Sequence, residues 1–339
     1  MKTSVLYSVN LPDQDHFPDE TVLLFDQVLL KNTKIKKWID RFKFRIHLKS
    51  GEKLKSLAEY SRVLKIVSEM AIPKSTKLTF VSLGGGSVGD FSGFLASTYL
   101  RGRRLIHIPS TWLSAMDSAH GGKTALNLNG IKNQIGTFHP AHEVWICQNL
   151  LISQPPERLR ECFGEAVKMA LLGDSKLFNE FEKQKLKTNL VWKHLPKIID
   201  LKYKIITKDP HEINGERRLL NLGHTLGHVY ESLLGWPHGI SVLMGIRFSA
   251  HWSFHTGLLP KKDWIRICQV ISNFDFDDKF ISQARNVSAS SAKKHLMRDK
   301  KIIGHDEIDF IFISKIGNAI RKKVKFSDLL DELERQRKE

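Results

Sequence analysis

The chain has 339 residues and a formal net charge of +17. That is long enough for two hydrophobic cores, and the basicity suits a small anionic substrate or nucleic acid. No apolar run approaches the ~20 residues of a membrane helix, and the start Met1-Lys2-Thr3-Ser4-Val5 carries no signal-peptide core. Cys147, Cys162 and Cys268 are odd in number and far apart, which argues against a disulfide frame and a CxxC metal site and points to a reducing, cytoplasmic setting.

In chain order, the first ~150 residues predict an α/β domain. Thr21–Phe25 is an apolar run ending at Asp26, a strand. Lys43–Leu48 alternates and predicts another. Leu54–Met70 has helical periodicity through Leu57, Leu64 and Val67. Lys77–Leu83 predicts a strand running into Gly84-Gly85-Gly86-Ser87-Val88-Gly89-Asp90, followed by a helix to about Leu100 and a strand at Leu105–Ile108. Strands alternating with helices imply a parallel sheet covered on both faces. Pro155-Pro156 marks a boundary, giving an α/β domain over 1–153 and a mainly helical domain over 154–339. In the second part Arg158–Leu172 and Ile240–Phe254 predict helices, Ile308–Ile313 is the one strong late strand, and Phe326–Glu339 predicts a charged amphipathic helix.

Three constellations carry chemistry. In Asn221-Leu222-Gly223-His224-Thr225-Leu226-Gly227-His228, a helical reading puts His224 and His228 on one face. His238 follows a turn at Trp236-Pro237, and Glu165 and Lys168 share a helix side upstream. Imidazoles with a carboxylate suit a catalytic divalent metal, typically zinc. Histidines satisfied in a tightly packed helix are the plain alternative, and Thr225 in place of a glutamate rules out a metalloprotease HExxH site. The Gly84-x-Gly86-x-x-Gly89 turn between a strand and a helix can approach a pyrophosphate, although no acidic residue stands some twenty positions on, and Asp90 hints at a polar contact. Gly121-Gly122-Lys123, with Lys132-Asn133 and Asp117, suits a small anion or a surface loop. The basic residues are dispersed and form no zinc-finger, basic-zipper or RNA-binding signature, so nucleic acid is a minor hypothesis.

Taken together, the segments LGGGSVGDFSGFLASTYLRG, IPSTWLSAMDSAHGGKTALN, KNQIGTFHP, PPERLRECFGEAVK, LLNLGHTLGHVYE, PHG and RDKKIIG resemble the 3-dehydroquinate synthase family of sugar-phosphate cyclases, from about Asp26 to Gly317. The resemblance implies an N-terminal Rossmann-like NAD-binding domain, a mainly α-helical C-terminal metal-binding domain, and an active site in the cleft between them. It implies zinc (cobalt as an option) held by Glu165, His224 and His238. It places NAD against Asp26, Glu52, Lys55, the Gly85, Gly86, Ser87, Val88, Gly89 and Asp90 loop, Ser110, Thr111, Lys123, Lys132 and Ser153. The substrate residues it implies are Asp117, Lys123, Lys132, Asn133, Lys168, Lys202, Arg217, Asn221, His228 and Lys300. Glu212 belongs to the set at the family's spacing after Lys202, with one residue inserted before Arg217. Arg101 would reach a neighbouring subunit, which implies a homodimer.

The implied reaction converts 3-deoxy-D-arabino-heptulosonate 7-phosphate to 3-dehydroquinate and phosphate, a step of the shikimate pathway. It proceeds by transient oxidation by NAD, phosphate elimination, re-reduction and an intramolecular aldol. Lys202, Arg217 and Asp299-Lys300-Lys301 suit a substrate with both carboxylate and phosphate, whereas sister inosose- or valiolone-type cyclases act on carboxylate-free sugar phosphates. A metal-dependent polyol dehydrogenase and a non-catalytic basic binding protein are the further alternatives. Departures from the family pattern are Ile240-Ser241-Val242 for Glu-Ala-Val, Lys168-Met169-Ala170 for Lys-Tyr-Gly, Cys147 for an aspartate and Ser110 for a threonine. If the replaced glutamate orients a ligand, Ile240 would loosen the metal site.

Overall fold

The computed structural model describes residues 3–73, 77–184, 187–273, 278–297, 302–303 and 306–339. The chain folds as two compact units, residues 1–158 and 159–339.

The first unit is built on a six-stranded parallel sheet of β1 (Ser4–Ser8), β2 (Thr21–Asp26), β3 (Phe44–Leu48), β4 (Thr79–Gly84), β5 (Arg104–Pro109) and β8 (Glu143–Cys147). The order is β1-β8-β5-β4-β2-β3. Central β2 and β4 are buried at every position, which is why they read as continuous apolar runs rather than alternations. The alternating β3 is an edge strand with every second residue exposed. Leu23, Phe25, Val81, Leu83, Ile106 and Ile108 share a core with Trp38 and Phe42, each buried large side chain contributing roughly 1.5–3 kcal/mol.

From β2 the chain moves outward to β3, then back across β2 to β4. The order therefore reverses between β2 and β4, the place where open α/β sheets take ligands at their carboxyl ends. The glycine turn lies at that point although it follows the fourth strand of the sheet in chain order. A helix, Gly86–Thr98, leaves it directly.

An antiparallel hairpin, β6 (Lys123–Leu128) and β7 (Ile131–Phe138), adds to the expected elements. Its two-residue turn, Asn129-Gly130, has positive φ at both positions (52° and 76°), as a type I′ turn requires.

The second unit packs helices around a small antiparallel sheet, β9 (Ile302–Ile303), β10 (Glu307–Lys315) and β11 (Asn318–Lys325). Phe310 and Phe312 of β10 meet Phe248 and Trp252 of the His238–His255 helix. The expectation of one late strand is corrected by β11. Its run Arg321-Lys322-Lys323 masks a strand that pairs with β10 from Glu307↔Lys325 to Lys315↔Asn318.

The continuous helix expected over Arg158–Leu172 is two helices, Pro156–Arg160 and Phe163–Gly173. Gly239 lies so close to the break that a Cβ there would sit 2.1 Å from the Glu161 carbonyl oxygen. Among the described residues no helix is long and apolar enough to cross a membrane.

Candidate functional site

In the first unit the expected cofactor residues gather at strand ends. Asp26 closes β2 in register with Leu48, and Gly84 pairs with Pro109. Asp26 is buried and its Oδ1 accepts the Val28 N–H at 3.1 Å. Gly85 precedes the Gly86–Thr98 helix and gives it no side-chain cap. The first-turn N–H groups and the helix dipole can then receive a pyrophosphate. A Cβ on Gly85 would lie 3.2 Å from the Thr111 methyl, and one on Gly86 3.1 Å from Ser118 Oγ. Gly89 has ordinary room for a side chain, so close packing does not account for it. Val88 is wholly buried and can offer a ligand only its backbone.

Ser87 Oγ accepts the Gly51 N–H at 3.0 Å, joining the glycine turn to the segment holding Glu52 and Lys55. Buried Lys55 donates to Asp90 Oδ2 at 2.6 Å and to Asn133 Oδ1 at 2.5 Å. Burial raises the Asp90 carboxyl above its ordinary range, with Lys55 opposing that shift. A cavity of about 640 Å³ is lined here by Gln27, His47, Gly51, Glu52, Leu54 and Arg62, a volume suited to a small-molecule ligand.

Ser110 donates its N–H to the Gly84 carbonyl at 2.9 Å, and Thr111 Oγ1 accepts the Ser114 N–H at 3.2 Å. Asp117 sits in the π-helical turn Ser114–Ser118. Lys123 opens β6, while Lys132 and Asn133 open β7; all three are exposed. Ser153 caps the end of the Gln148–Ile152 helix, its hydroxyl donating to the Leu150 carbonyl at 2.7 Å. Arg101 is exposed on a turn with left-handed φ at Leu100, Arg101 and Gly102.

In the second unit, Glu165, His224 and His238 converge. One ligand atom from each lies within 4.8 Å of the others. Glu165 is 1% exposed on the Phe163–Gly173 helix, whose Gly164 packs against the backbone of the His238–His255 helix at Gly239.

His224 and His238 each begin a helix, His224–Leu234 and His238–His255. The segment 221–228 is therefore not one helix. Asn221 closes a 3-10 turn over Glu216–Asn221, and Gly223 breaks the chain at φ +79°, a conformation that favours glycine. His224 and His228 do share the new helix, their rings 5.4 Å apart, with His228 exposed one turn on.

Each imidazole is oriented from behind. His224 Nδ1 donates to the Leu222 carbonyl at 3.2 Å, which leaves Nε2 to face Glu165 Oε1 at 3.3 Å. His238 Nδ1 donates to Glu231 Oε2 at 3.3 Å and its Nε2 lies 3.2 Å from Glu165 Oε1. Glu231, which sequence reasoning missed, falls at i+7 from His224 on the stripe His224, His228, Glu231. That spacing could have revealed it. The carboxylate behind His238 thus comes from the neighbouring helix, while Ile240 packs against the apolar cluster of Leu226, Tyr230 and Phe248.

Lys168, 2% exposed, pairs with Glu165 from one turn along the helix. Burial alone would raise the Glu165 carboxyl. Lys168 and the two histidines outweigh it and hold the group well below the usual carboxylate range. Burial, aided by Lys168, depresses His224 to about 3. Burial opposes charge on His238 too, but Glu165 and Glu231 push it up to about 10. An ionised carboxylate and a neutral imidazole are already in ligand form; His238 would give up a proton to coordinate. One oxygen and two nitrogens in this arrangement fit a divalent ion such as zinc or cobalt.

Buried Lys202 lies on the Thr188–Ile206 helix. Buried Arg217 follows in a loop organised by Asp209, also missed from sequence. Asp209 accepts the Ile213, Asn214 and Arg217 N–H groups at 2.8–3.2 Å, and Arg217 Nη1 donates to the Pro210 carbonyl at 2.5 Å. Glu212 sits in the same loop at φ +58°. Lys300, with Asp299 and Lys301, lies outside the described residues.

Fold and site define a class: a dinucleotide-type α/β unit followed by a helical unit with a two-histidine, one-carboxylate centre. The family model described as 3-dehydroquinate synthase N-terminal matches residues 45–161, and that described as 3-dehydroquinate synthase C-terminal matches 162–302. The 3-dehydroquinate synthase of Coxiella burnetii is 33% identical over 85% of this chain and 79% of its own length. The bifunctional shikimate kinase/3-dehydroquinate synthase of Thermotoga maritima is 34% identical over 85% of this chain, which spans 57% of that longer protein. A solved 2-deoxy-scyllo-inosose synthase, complexed with carbaglucose-6-phosphate, NAD+ and Co2+, shares the fold with a TM-score of 0.83 at 20% identity, over 98% of this chain and 96% of the other. The chain belongs to the 3-dehydroquinate synthase family.

Proposed function

We propose that this chain is a phosphate-eliminating carbon–oxygen lyase. It would convert 3-deoxy-D-arabino-heptulosonate 7-phosphate to 3-dehydroquinate, with NAD at the switch point of the sheet and a divalent metal on Glu165, His224 and His238. The observation that carries the proposal is the convergence of those three side chains, with Lys168 paired to the carboxylate, in a chain matched by both domains of the family. When bound, the metal supplies positive charge that acidifies a ring hydroxyl, and NAD accepts a hydride and later returns it.

The protein's own groups hold the substrate and manage protons. Lys168 is fixed against Glu165 in a buried position, so its ammonium is preorganised to hold or pass a proton beside the metal ligands. His228, exposed one turn beyond His224, and Asn221, just before it, present polar groups to the reacting oxygens. Lys202 and Arg217 are buried cations suited to carboxylate and phosphate. Arg217 is preorientated by the Pro210 carbonyl and the Asp209 loop. Lys123, Lys132, Asn133 and Asp117 supply the corresponding polar groups of the first unit, and Glu212 and Lys300 complete the set.

Elimination becomes facile once the neighbouring hydroxyl is a ketone, because the adjacent C–H is then acidic. The departing phosphate can itself take that proton, so no strong protein base is required. Exposed Arg101, on its left-handed turn, supports donation to a neighbouring subunit's site in a homodimer.

Turnover of a panel of sugar phosphates with product identification tests this proposal. Heptulosonate phosphate should give 3-dehydroquinate and inorganic phosphate. Turnover of a carboxylate-free sugar phosphate alone would reassign the chain to a sister cyclase, and NADH accumulation from a polyol would reassign it to a dehydrogenase.

A further inference from the structure

The polar network around Lys55 continues into the β6–β7 hairpin through Asn127, the last residue of the GGKTALN segment, to which the resemblance assigns no role. Asn127 sits at the irregularity of β6, where the register shifts between Leu126 and Leu128. A bulge there frees it from the strand ladder, and its backbone N–H crosses to the Lys55 carbonyl at 2.6 Å. Its side chain is engaged at both ends. Nδ2 donates to Glu52 Oε2 at 2.8 Å, and Oδ1 accepts the Asn133 N–H at 2.9 Å. A carboxylate on one side and an N–H donor on the other fix which way the carboxamide points. Asn133 stands at φ +56°, a left-handed conformation open to asparagine, and its Oδ1 receives the Lys55 ammonium.

We infer that Asn127 is a positioning residue coupling the Glu52–Lys55 segment to Lys132–Asn133 at the start of β7, so that order on one side is transmitted to the other. This rests on the proposed function for the identity of the two sides: the first faces the dinucleotide, the second the sugar phosphate. Cofactor that immobilises Glu52 then immobilises the substrate-facing start of β7, because the Asn127 carboxamide links the two.

Hydrogen exchange read by mass spectrometry over residues 51–55 and 128–134 tests the inference in the full chain. Asn127→Ala should speed exchange in both segments about tenfold, the loss expected of one or two hydrogen bonds. Asn127→Asp keeps an acceptor for the Asn133 N–H but sets a carboxylate against Glu52. It should speed exchange at 51–55 and loosen 128–134 only about as far as Glu52→Ala does, less than Asn127→Ala. Glu52→Ala should loosen 128–134 in the wild-type background and have no further effect in Asn127→Ala. If Glu52→Ala leaves 128–134 unchanged, or acts equally with Asn127 removed, the coupling is wrong. With saturating NAD, wild type should gain protection over 128–134 and Asn127→Ala should bind NAD without that gain; equal protection in both would also overturn it. Failure of wild type to bind NAD would remove the cofactor assignment, and the Glu52–Asn127 cycle would still decide the coupling.

Discussion

The two units prepare for ligands in opposite ways. The cofactor side of the first is largely backbone: strand ends, the Gly85–Gly86 turn and uncapped N–H groups of the Gly86–Thr98 helix. The metal side of the second is all side chain, with Glu165, Lys168, His224 and His238 held in a web of opposed charges at the starts and faces of three helices. A backbone site is defined by what is missing, since an added Cβ obstructs it. A side-chain site is defined by what is present, and removing one member leaves buried charge without its partner. Substitutions in the two units should therefore separate cleanly.

The largest effect belongs to the ligands. His224→Ala should abolish stable metal binding and lower turnover by on the order of 10³-fold or more, while NAD still binds. Metal analysis of the purified variant checks this; full metal content would mean that His224 is not a ligand.

Next comes the carboxylate behind His238. Glu231→Ala should weaken metal affinity roughly 10–100-fold. Glu231→Gln, which keeps an acceptor for Nδ1–H, should recover much of it. Competition with a chelator measures the affinity, and the visible spectrum of the cobalt form reports ligand geometry independently of turnover. Unchanged affinity and spectrum in both variants would show that His238 is oriented some other way.

Smaller again is the backbone side. Gly86→Ala would set a Cβ 3.1 Å from Ser118 Oγ, at the mouth of the helix. NAD affinity should fall about tenfold, the equivalent of one lost hydrogen bond to a charged group, with metal content intact. Calorimetric titration with NAD checks this; a parallel loss of metal would break the separation between the units.

The smallest effect at neutral pH is expected at His107, buried in β5. Burial, helped by nearby His139, lowers its imidazole from 6.5 to about 4. Between those values the unfolded chain binds a proton that the folded chain excludes, so its contribution to stability is present above about pH 6.5 and is lost as pH falls toward 4. At pH 5.5 the loss is about 1.4 kcal/mol. His107→Gln should match wild type in activity at pH 7.5 and flatten this part of the acid-denaturation profile. Denaturant melts at pH 7.5 and 5.5 would show it.

The same contrast governs what the sequence made legible. β2, β4 and β5 are buried on both faces and read as apolar runs, and the glycine turn between β4 and its helix follows from local chemistry. β1 and β8 were not visible, because short Ser4–Ser8 acquires its role only by pairing with Glu143–Cys147 far along the chain. Asn129-Gly130 is itself a hairpin signal, while the charges of β11 conceal its pairing with β10. In the metal unit, the residue types that converge were suggested by helical spacing and local context, but the grouping of Glu165, His224 and His238 came from the family resemblance. No periodicity links residues 59 and 73 positions apart. Glu231 lay on the visible stripe. Asp209 gave no local signal, and Asn127, although it ends the quoted GGKTALN segment, gave none that marked its role, since each works by gathering groups that only the folded loops bring near.

The proposed cyclase recycles its oxidant. It is tested most directly by measuring inorganic phosphate and NADH together, with heptulosonate phosphate in large excess over NAD and zinc supplied. Many phosphates should be released for each NAD present, with no net NADH. One NADH formed per turnover, or no phosphate release from fully metallated protein, would contradict it.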